Sequence, residues 1–151
     1  MKKLYVVGNK ASKSLSPTIF NYWFKKYNIK ASYGYLELTE KNFHNKIKDI
    51  LEKKDTLGLN VTIPFKNKII KHLGKIDAHA KKIGAVNCVT NKKTINGTNT
   101  DWTGYYKTLP NIKKTKNRKV IILGYGGASH AIHYVLKTVS YTHLRAHETS
   151  L

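Results

Sequence analysis

The sequence predicts an α/β protein: a mostly parallel sheet flanked by helices, followed by an incomplete second β-α unit. Short apolar runs of strand length alternate with stretches whose apolar residues recur at helical spacing, in the order β-α-β-α-β-α. Hydrophobic residues make up 40% of the 151 residues, which is enough for a buried core. A polar, lysine-rich segment at 111–117 then precedes a new strand and a glycine turn, which indicates that a second domain begins there.

Three strands and two helices are predicted in the first part of the chain. Ser16 and Pro17 are typical of a helix start, and apolar residues repeat at helical spacing as far as Tyr27. Thr39 is the predicted N-cap of a second helix, which runs to Leu51. The third strand ends before Pro64, because proline cannot donate to a sheet ladder. The predicted strands are residues 4–8, 32–38 and 57–63.

The later elements complete this layer and open the second unit. They are short helices at 66–73 and 77–83, a strand pair at 86–90 and 94–96, a helix at 101–109 closed by Pro110, a strand at 119–123 and a helix at 128–137. They divide the chain into a first domain at 1–101, a connecting helix and linker at 102–117, and the start of a second domain at 118–137.

Residues 138–151 differ in composition from the rest of the chain. They contain no lysine, whereas all 26 lysines precede them. We therefore expect this tail to be foreign to the gene, and we expect no strand after residue 137. A lone β-α piece cannot form a doubly wound sheet, so the second domain is expected to be a stub with exposed strand edges.

The net charge of +20 raises the question of nucleic-acid binding. The arginines are Arg118 and Arg145, so 26 of the 28 basic residues are lysines, whereas phosphate and base recognition favours the arginine fork. The lysines are also spread without a block of five or six like charges. We expect no nucleic-acid partner, and a basic surface that attracts an anionic substrate and a phosphorylated cofactor.

The sequence predicts a cytoplasmic protein without a membrane partner. The single cysteine, Cys88, excludes an internal disulfide and fits a reducing compartment. The apolar run at 4–7 is too short for a signal peptide, and no run approaches the length of a transmembrane helix.

Lys66 and Asp101 are the candidate catalytic residues. Lys66 stands just past the strand at 57–63, and ligands meet functional side chains at strand ends in α/β proteins. An ammonium group there can stabilise negative charge that develops on a substrate oxygen, and can deliver a proton to it. One alternative is that Lys66 is a solvated surface lysine. Another is that Asp101 only caps the helix that follows it.

Ser14, Ser16 and Thr62 form a candidate carboxylate site. In an extended segment Ser14 and Ser16 point to the same side, because side chains alternate with period two. Two hydroxyls and a third from Thr62 could bind a carboxylate. The alternative is that Ser16 only caps the next helix.

A glycine turn follows the strand at 119–123. It reads Gly124-Tyr125-Gly126-Gly127-Ala128, and its glycines would let the backbone approach a pyrophosphate at the N-terminus of the next helix. His130 and His133 on that helix could ligate a metal, but without an evident third ligand we expect a surface role and no metal.

Five motifs in this order resemble the shikimate dehydrogenase family over residues 4–137. They are Ser14-Leu15-Ser16-Pro17, Asn60-Val61-Thr62-Ile63-Pro64-Phe65-Lys66, Gly84-Ala85-Val86-Asn87-Cys88, Asn99-Thr100-Asp101-Trp102-Thr103-Gly104 and the glycine turn with its strand. Departures are Phe20 where members often have histidine, and Tyr125 in place of alanine.

The resemblance implies reversible NADP-dependent reduction of 3-dehydroshikimate to shikimate, with NAD not excluded. It implies that Ser14, Ser16 and Thr62 bind the substrate carboxylate. It further implies that Lys66 is the acid/base, that Asn87 and Asp101 hold the ring hydroxyls, and that residues 124–128 bind the cofactor in a Rossmann-like unit. A monomer or homodimer is expected. The alternatives are a quinate/shikimate dehydrogenase of broader specificity and a non-catalytic substrate-binding fragment.

Overall fold

The computed structural model describes residues 1–109 and 120–138, and the backbone of 144–147. The strands are β1 (Lys2–Gly8), β2 (Ala31–Glu37), β3 (Thr56–Val61), β4 (Lys75–Ile76), β5 (Cys88–Asn91), β6 (Ile95–Thr98), β7 (Val120–Leu123) and β8 (Leu144–His147). The helices are α1 (Ser16–Lys26), α2 (Phe43–Leu51), α3 (Ala78–Ile83), α4 (Asp101–Thr108) and α5 (Gly127–Thr138). Two short 3-10 helices lie at Ala11–Lys13 and Lys68–His72.

Six strands form one mixed sheet in the order β2-β1-β3-β5-β6-β4. β1 is parallel to both of its neighbours, and β4 is parallel to β6. β5 runs antiparallel to β3 and to β6, since β5 and β6 form the hairpin that the sequence predicts. The predicted α/β class with helices flanking a mostly parallel sheet is confirmed, and the parallel pairs of β1 bring the carboxyl ends of β1 and β3 to one edge.

The main core lies between the sheet and α2. On α2 the buried side chains Phe43, Ile47 and Leu51 recur every four residues and so form one face of the helix. The ring of Phe43 stacks on that of Phe65 at 4.2 Å between centroids, and both side chains are fully buried. This contact anchors the residue next to Lys66 in the core.

On the other face of the sheet, α1 packs through its aromatic side chains. The Phe20 ring stacks on the buried Tyr33 of β2 at 4.5 Å with an interplanar angle of 9°. Phe20, which departs from the family pattern, therefore has a packing role.

Two local predictions are wrong in informative ways. Thr39 does not cap α2, which begins at Phe43 after a turn in which the Thr39 N–H donates to Asn42 Oδ1 at 2.9 Å. The predicted helix at 66–73 is reduced to the 3-10 helix at Lys68–His72. The carbonyl of Lys66 instead accepts the Val86 N–H at 2.7 Å, so it is not available to an α-helical ladder.

The second unit consists of β7, α5 and the backbone of β8. α5 packs against α3 and α4, with Ala131 buried among Ile83 and Ala85 and with Trp102 and Tyr134 alongside. The backbone of β8 pairs in parallel with β7, so the expectation of no strand after residue 137 is wrong for these four residues. Residues 110–119, which include the predicted linker, lie outside the described residues, as does most of the tail at 138–151. The foreign origin of that tail stays a prediction.

Within the described ranges, the helices are all too short or too polar to cross a bilayer.

Candidate active site

A cleft of about 500 Å³ opens at the carboxyl ends of β1 and β3. All six residues predicted to bind or convert a substrate line it: Ser14, Ser16, Thr62, Lys66, Asn87 and Asp101. They come from four separate segments of the chain, and the parallel pairing of β1 with β3 is what brings Ser14, Ser16, Thr62 and Lys66 together.

The backbone next to Lys66 is fixed by contacts that do not involve the Lys66 side chain. Phe65 is buried in the core, and its N–H donates to the Thr62 carbonyl at 3.0 Å. The Lys66 side chain is 13% exposed, and Nζ lies 2.7 Å from Asp101 Oδ2. Lys66 is therefore a partly buried, ion-paired residue, and the alternative of a solvated surface lysine is wrong.

Asp101 is the first residue of α4, yet its carboxylate does not cap the helix. Thr100 stands at the N-cap position without a side-chain cap bond, and the capping group belongs to the preceding Asn99, whose Oδ1 accepts the N–H groups of Asp101 at 3.0 Å and Trp102 at 3.4 Å. Asn99 is buried, and its Nδ2 donates to the Ala85 carbonyl at 2.9 Å. Because Asn99 satisfies the helix terminus, the Asp101 carboxylate is available to the cleft, where the N-terminal end of α4 also favours its negative charge.

Asn87 fixes the other oxygen of that carboxylate. Its Nδ2 donates to Asp101 Oδ1 at 2.7 Å and to Thr100 Oγ1 at 2.9 Å, while its Oδ1 accepts the Thr100 N–H at 2.8 Å. One oxygen of Asp101 thus faces an ammonium and the other an amide. Such a carboxylate is oriented on both sides and presents its remaining lone pairs to the cleft.

The two serines lie side by side at the start of α1. Ser14 Oγ accepts the Ser16 N–H at 3.2 Å and donates to Ser16 Oγ at 3.1 Å. Ser16 lies within the first turn of α1, so the alternative that Ser16 caps this helix is wrong. Lys10 and Lys13 line the same part of the cleft, which adds positive charge beside the hydroxyls.

Thr62 reaches the cleft because Gly8 lies opposite it. A β-carbon at Gly8 would lie 2.4 Å from Thr62 Cγ2, a distance that packed atoms do not adopt. A side chain at position 8 would therefore displace Thr62 from the hydroxyl cluster.

Sequence reasoning missed Tyr33 and Asn60. The Tyr33 hydroxyl donates to Asn60 Oδ1 at 2.6 Å, and Asn60 Nδ2 donates to the Asn87 carbonyl at 3.4 Å. Burial raises the pKa of Tyr33 to about 12, with Cys88 adding to the rise and a hydrogen bond with Ser16 opposing it. An asparagine inside the apolar run of β3 was the available signal for Asn60.

The glycine turn does not line this cleft, but Gly127 lies close to the Lys66 side chain, since a β-carbon built on Gly127 would lie 2.9 Å from Lys66 Cβ. Gly124 adopts φ of 103°, a left-handed conformation that favours glycine. The Gly126 carbonyl accepts from the His130 N–H and Ser129 Oγ, which closes the first turn of α5. Tyr125 is largely exposed, and its ring packs edge-on against His130 at 4.7 Å. His130 and His133 are half-buried on the same helix.

A strand-end cleft followed by a glycine-rich strand–turn–helix unit is typical of α/β enzymes that bind a dinucleotide. Comparison with known sequences narrows this class. The sequence model of one family, described as the shikimate dehydrogenase substrate binding domain, matches residues 6–89. The chain belongs to the shikimate dehydrogenase family.

Relatives and solved structures agree with this assignment. The chain is 39% identical over 147 residues to the shikimate dehydrogenase (NADP(+)) of Pelagibacter ubique, covering 92% of this chain and 53% of that protein. It superimposes on the shikimate dehydrogenase of Thermotoga maritima with a TM-score of 0.86 and 32% identity, covering 99% of this chain and 56% of the other.

A further structure, shikimate 5-dehydrogenase of Thermus thermophilus in complex with NADP(H) and shikimate, matches with a TM-score of 0.78 and 26% identity, covering 97% and 55% of the two chains. The present chain thus spans about half the length of the curated relatives it matches.

Proposed function

We propose that the whole protein catalyses the NADP-dependent, reversible reduction of 3-dehydroshikimate to shikimate, and that residues 1–101 bind the substrate. The observation that carries this proposal is the Lys66–Asp101 contact of 2.7 Å in a cleft that hydroxyls and further lysines also line. Shikimate has the matching chemistry, a carboxylate at one end of the ring and hydroxyls at the other.

The carboxylate would bind at the start of α1. Ser14 and Ser16 already lie 3.1 Å apart, and Thr62 lines the same cleft. Hydroxyl donors bind a carboxylate without a buried counter-charge, and Lys10 and Lys13 add long-range attraction. The ring hydroxyls would then lie near Asn87 and Asp101, whose polar atoms are preorganised by the contacts described above.

Lys66 would carry the proton. Bound NADPH supplies the hydride that reduces the ketone. As negative charge develops on the substrate oxygen, the Lys66 ammonium stabilises it and gives up a proton to it. In the reverse direction the neutral amine accepts that proton. Asp101 holds Nζ in one position, which keeps the donor within reach of the substrate oxygen.

The glycine turn fits the pyrophosphate part of such a cofactor. Gly124 is left-handed, and a β-carbon at Gly126 would meet no atom of the described residues within 4 Å. The backbone can therefore be approached closely, and the first N–H groups of α5 would face the phosphates. The preference for NADP is proposed from the names of the relatives, since NAD fits this turn equally well.

The test begins with binding by the 151-residue chain. Titration calorimetry with shikimate should show binding, and Ser14→Ala should weaken it about tenfold, the scale for losing a hydrogen bond to a charged group. The control is Thr18→Ala, on the exposed side of α1 two residues beyond Ser16, which should bind as the parent does. Equal weakening in both variants, or no shikimate binding at all, would contradict the assignment of the cleft.

A non-catalytic binding role for this chain is the second candidate. It would need only the six-stranded sheet and its cleft, which the described residues contain. An assay of NADPH oxidation with 3-dehydroshikimate separates the two. Turnover by the 151-residue chain would exclude the binding-only role, whereas shikimate binding without turnover would support it.

A further inference from the structure

We infer that Gly127 is a positioning residue for the Lys66 ammonium, so that the third glycine of the turn acts on the substrate side of the reaction. This inference rests on the proposed function for the role of Lys66. The contact itself does not depend on any ligand. A β-carbon built on Gly127 would lie 2.9 Å from Lys66 Cβ and 3.0 Å from Lys66 Cδ.

The helix that carries Gly127 has little freedom to move away. Ala131, one turn later on the same face of α5, is fully buried against Ile83 and Ala85. Further along, the Tyr134 hydroxyl lies 2.8 Å from His79 Nδ1, and the His79 ring stacks on Trp102 at 4.2 Å. These contacts tie α5 to α3 and α4, so a side chain at position 127 would displace Lys66 and not the helix.

Lys66 is confined on the opposite side as well. Its carbonyl is bonded to the Val86 N–H, and its Nζ is bonded to Asp101. The aliphatic stem therefore runs between a fixed backbone and a fixed carboxylate, with Gly127 as its wall. Because the stem of a lysine has several rotatable bonds, such a wall selects the rotamer that directs Nζ to Asp101.

The two neighbouring glycines of the turn provide a matched comparison. A β-carbon at Gly126 would lie more than 4 Å from every atom of the described part of the chain apart from its own neighbours, and its φ is outside the left-handed region. Gly126→Ala and Gly127→Ala thus add the same methyl group one residue apart. They differ in whether that group meets Lys66.

The experiment measures how fast Lys66 reacts in the 151-residue chain. Each variant is treated with an amine-acylating reagent at limiting dose, and the acylation of Lys66 is followed by mass spectrometry of its peptide, with exposed Lys53 as the internal standard. Gly127→Ala should raise the relative rate at Lys66 at least about threefold, the scale for losing one protecting hydrogen bond. Gly126→Ala should leave it unchanged. An unchanged rate in Gly127→Ala, or an equal rise in both variants, would overturn the inference.

A double-mutant cycle keeps the test decisive if Gly127→Ala weakens folding. The added methyl should lower the thermal midpoint less in a Lys66→Gly background, by at least about 2 °C, because Lys66 Cβ and Cδ, the two atoms that it would meet, are both gone. Loss of folding with Lys66 present but not with Gly at that position also supports the contact. An equal loss in both backgrounds overturns it. These measurements use neither shikimate nor NADP. Their outcome is therefore independent of whether the proposed function holds.

Discussion

Replacing Asn99 by alanine tests how the site is built, because this buried side chain supports both the helix and the carboxylate of the candidate pair. Asn99 is 3% exposed and makes three hydrogen bonds, to the Ala85 carbonyl and from the N–H groups of Asp101 and Trp102. Asn99→Ala removes all three at once. The unfolded chain loses nothing comparable, so the change should appear in the free energy of unfolding.

The magnitude follows from the groups left behind. An unsatisfied buried carbonyl at Ala85 costs about 1 to 3 kcal/mol. Loss of an N-cap costs about 0.5 to 2 kcal/mol, and typically about 1 kcal/mol. Asn99→Ala should therefore destabilise the protein by about 2 to 4 kcal/mol, which is a large part of the usual stability of a domain without abolishing folding.

Urea denaturation followed by tryptophan fluorescence measures this loss. The control is Asn45→Ala, at an exposed position in the middle of α2, which should change the free energy of unfolding by less than about 0.5 kcal/mol. A loss below about 0.5 kcal/mol in Asn99→Ala would refute the reasoning, since the cap would then be replaceable by water. Shikimate affinity should also fall in this variant, because Asp101 loses the anchor of its backbone N–H.

Three further predictions follow from the same structure. In a chain extended to the length of its relatives, Lys66→Ala should lower kcat by about 10²-fold or more with a smaller change in KM, whereas Ser14→Ala should mainly raise KM, and steady-state kinetics compares them. Near-normal kcat in Lys66→Ala would defeat the proposed acid/base. Burial, and secondly the nearby His44, lowers the pKa of His72 below its ordinary value of 6.5. Below pH 6.5 the unfolded chain therefore binds more protons than the folded chain, and the free energy of unfolding should fall as the pH drops. His72→Gln should flatten this fall in thermal midpoints, and an unaltered pH dependence would contradict the assignment. Gly104→Ala should stabilise the protein by about 0.5 to 1 kcal/mol in urea denaturation, because alanine favours a helix more than glycine does. Beyond the neighbouring backbone of α4, the added methyl would meet no described atom within 4 Å. Destabilisation would show that position 104 is crowded.

The sequence predicted the layer order and six of the residues that line the cleft because both depend on local signals. Apolar runs ending at a glycine or before a proline marked β1 and β3, and alternation marked β2, each to within two residues. The hydroxyls and the lysine stand beside those ends, so their meeting followed from the parallel pairing of strands. The prediction that Thr39 caps α2 failed because two side chains in this turn can form capping bonds. Asn42 accepts the Thr39 N–H through its own side chain.

Contacts between distant segments were beyond the reach of sequence patterns. The Lys66 carbonyl bonds to Val86 across the cleft, and this bond limits the predicted helix at 66–73. The choice of Asn99 over Asp101 as the cap depends on the Ala85 carbonyl, which only tertiary structure brings near. Tyr33 reads as an ordinary residue of an alternating strand, and its bond to Asn60 becomes visible only when β2, β1 and β3 are aligned.

The long separations within the site also set the order in which a growing chain can form it. The bond between Lys66 and Asp101 joins residues 35 positions apart, and β5 must first lie against β3 for Asn87 to reach Asp101. The β1-α1-β2 segment needs only the first 37 residues, and such local contacts form sooner than distant ones. During synthesis, the segment that carries Ser14 and Ser16 can therefore form well before the Lys66 ammonium acquires its partner. The Lys66–Asp101 pair is completed only after α4 has left the ribosome.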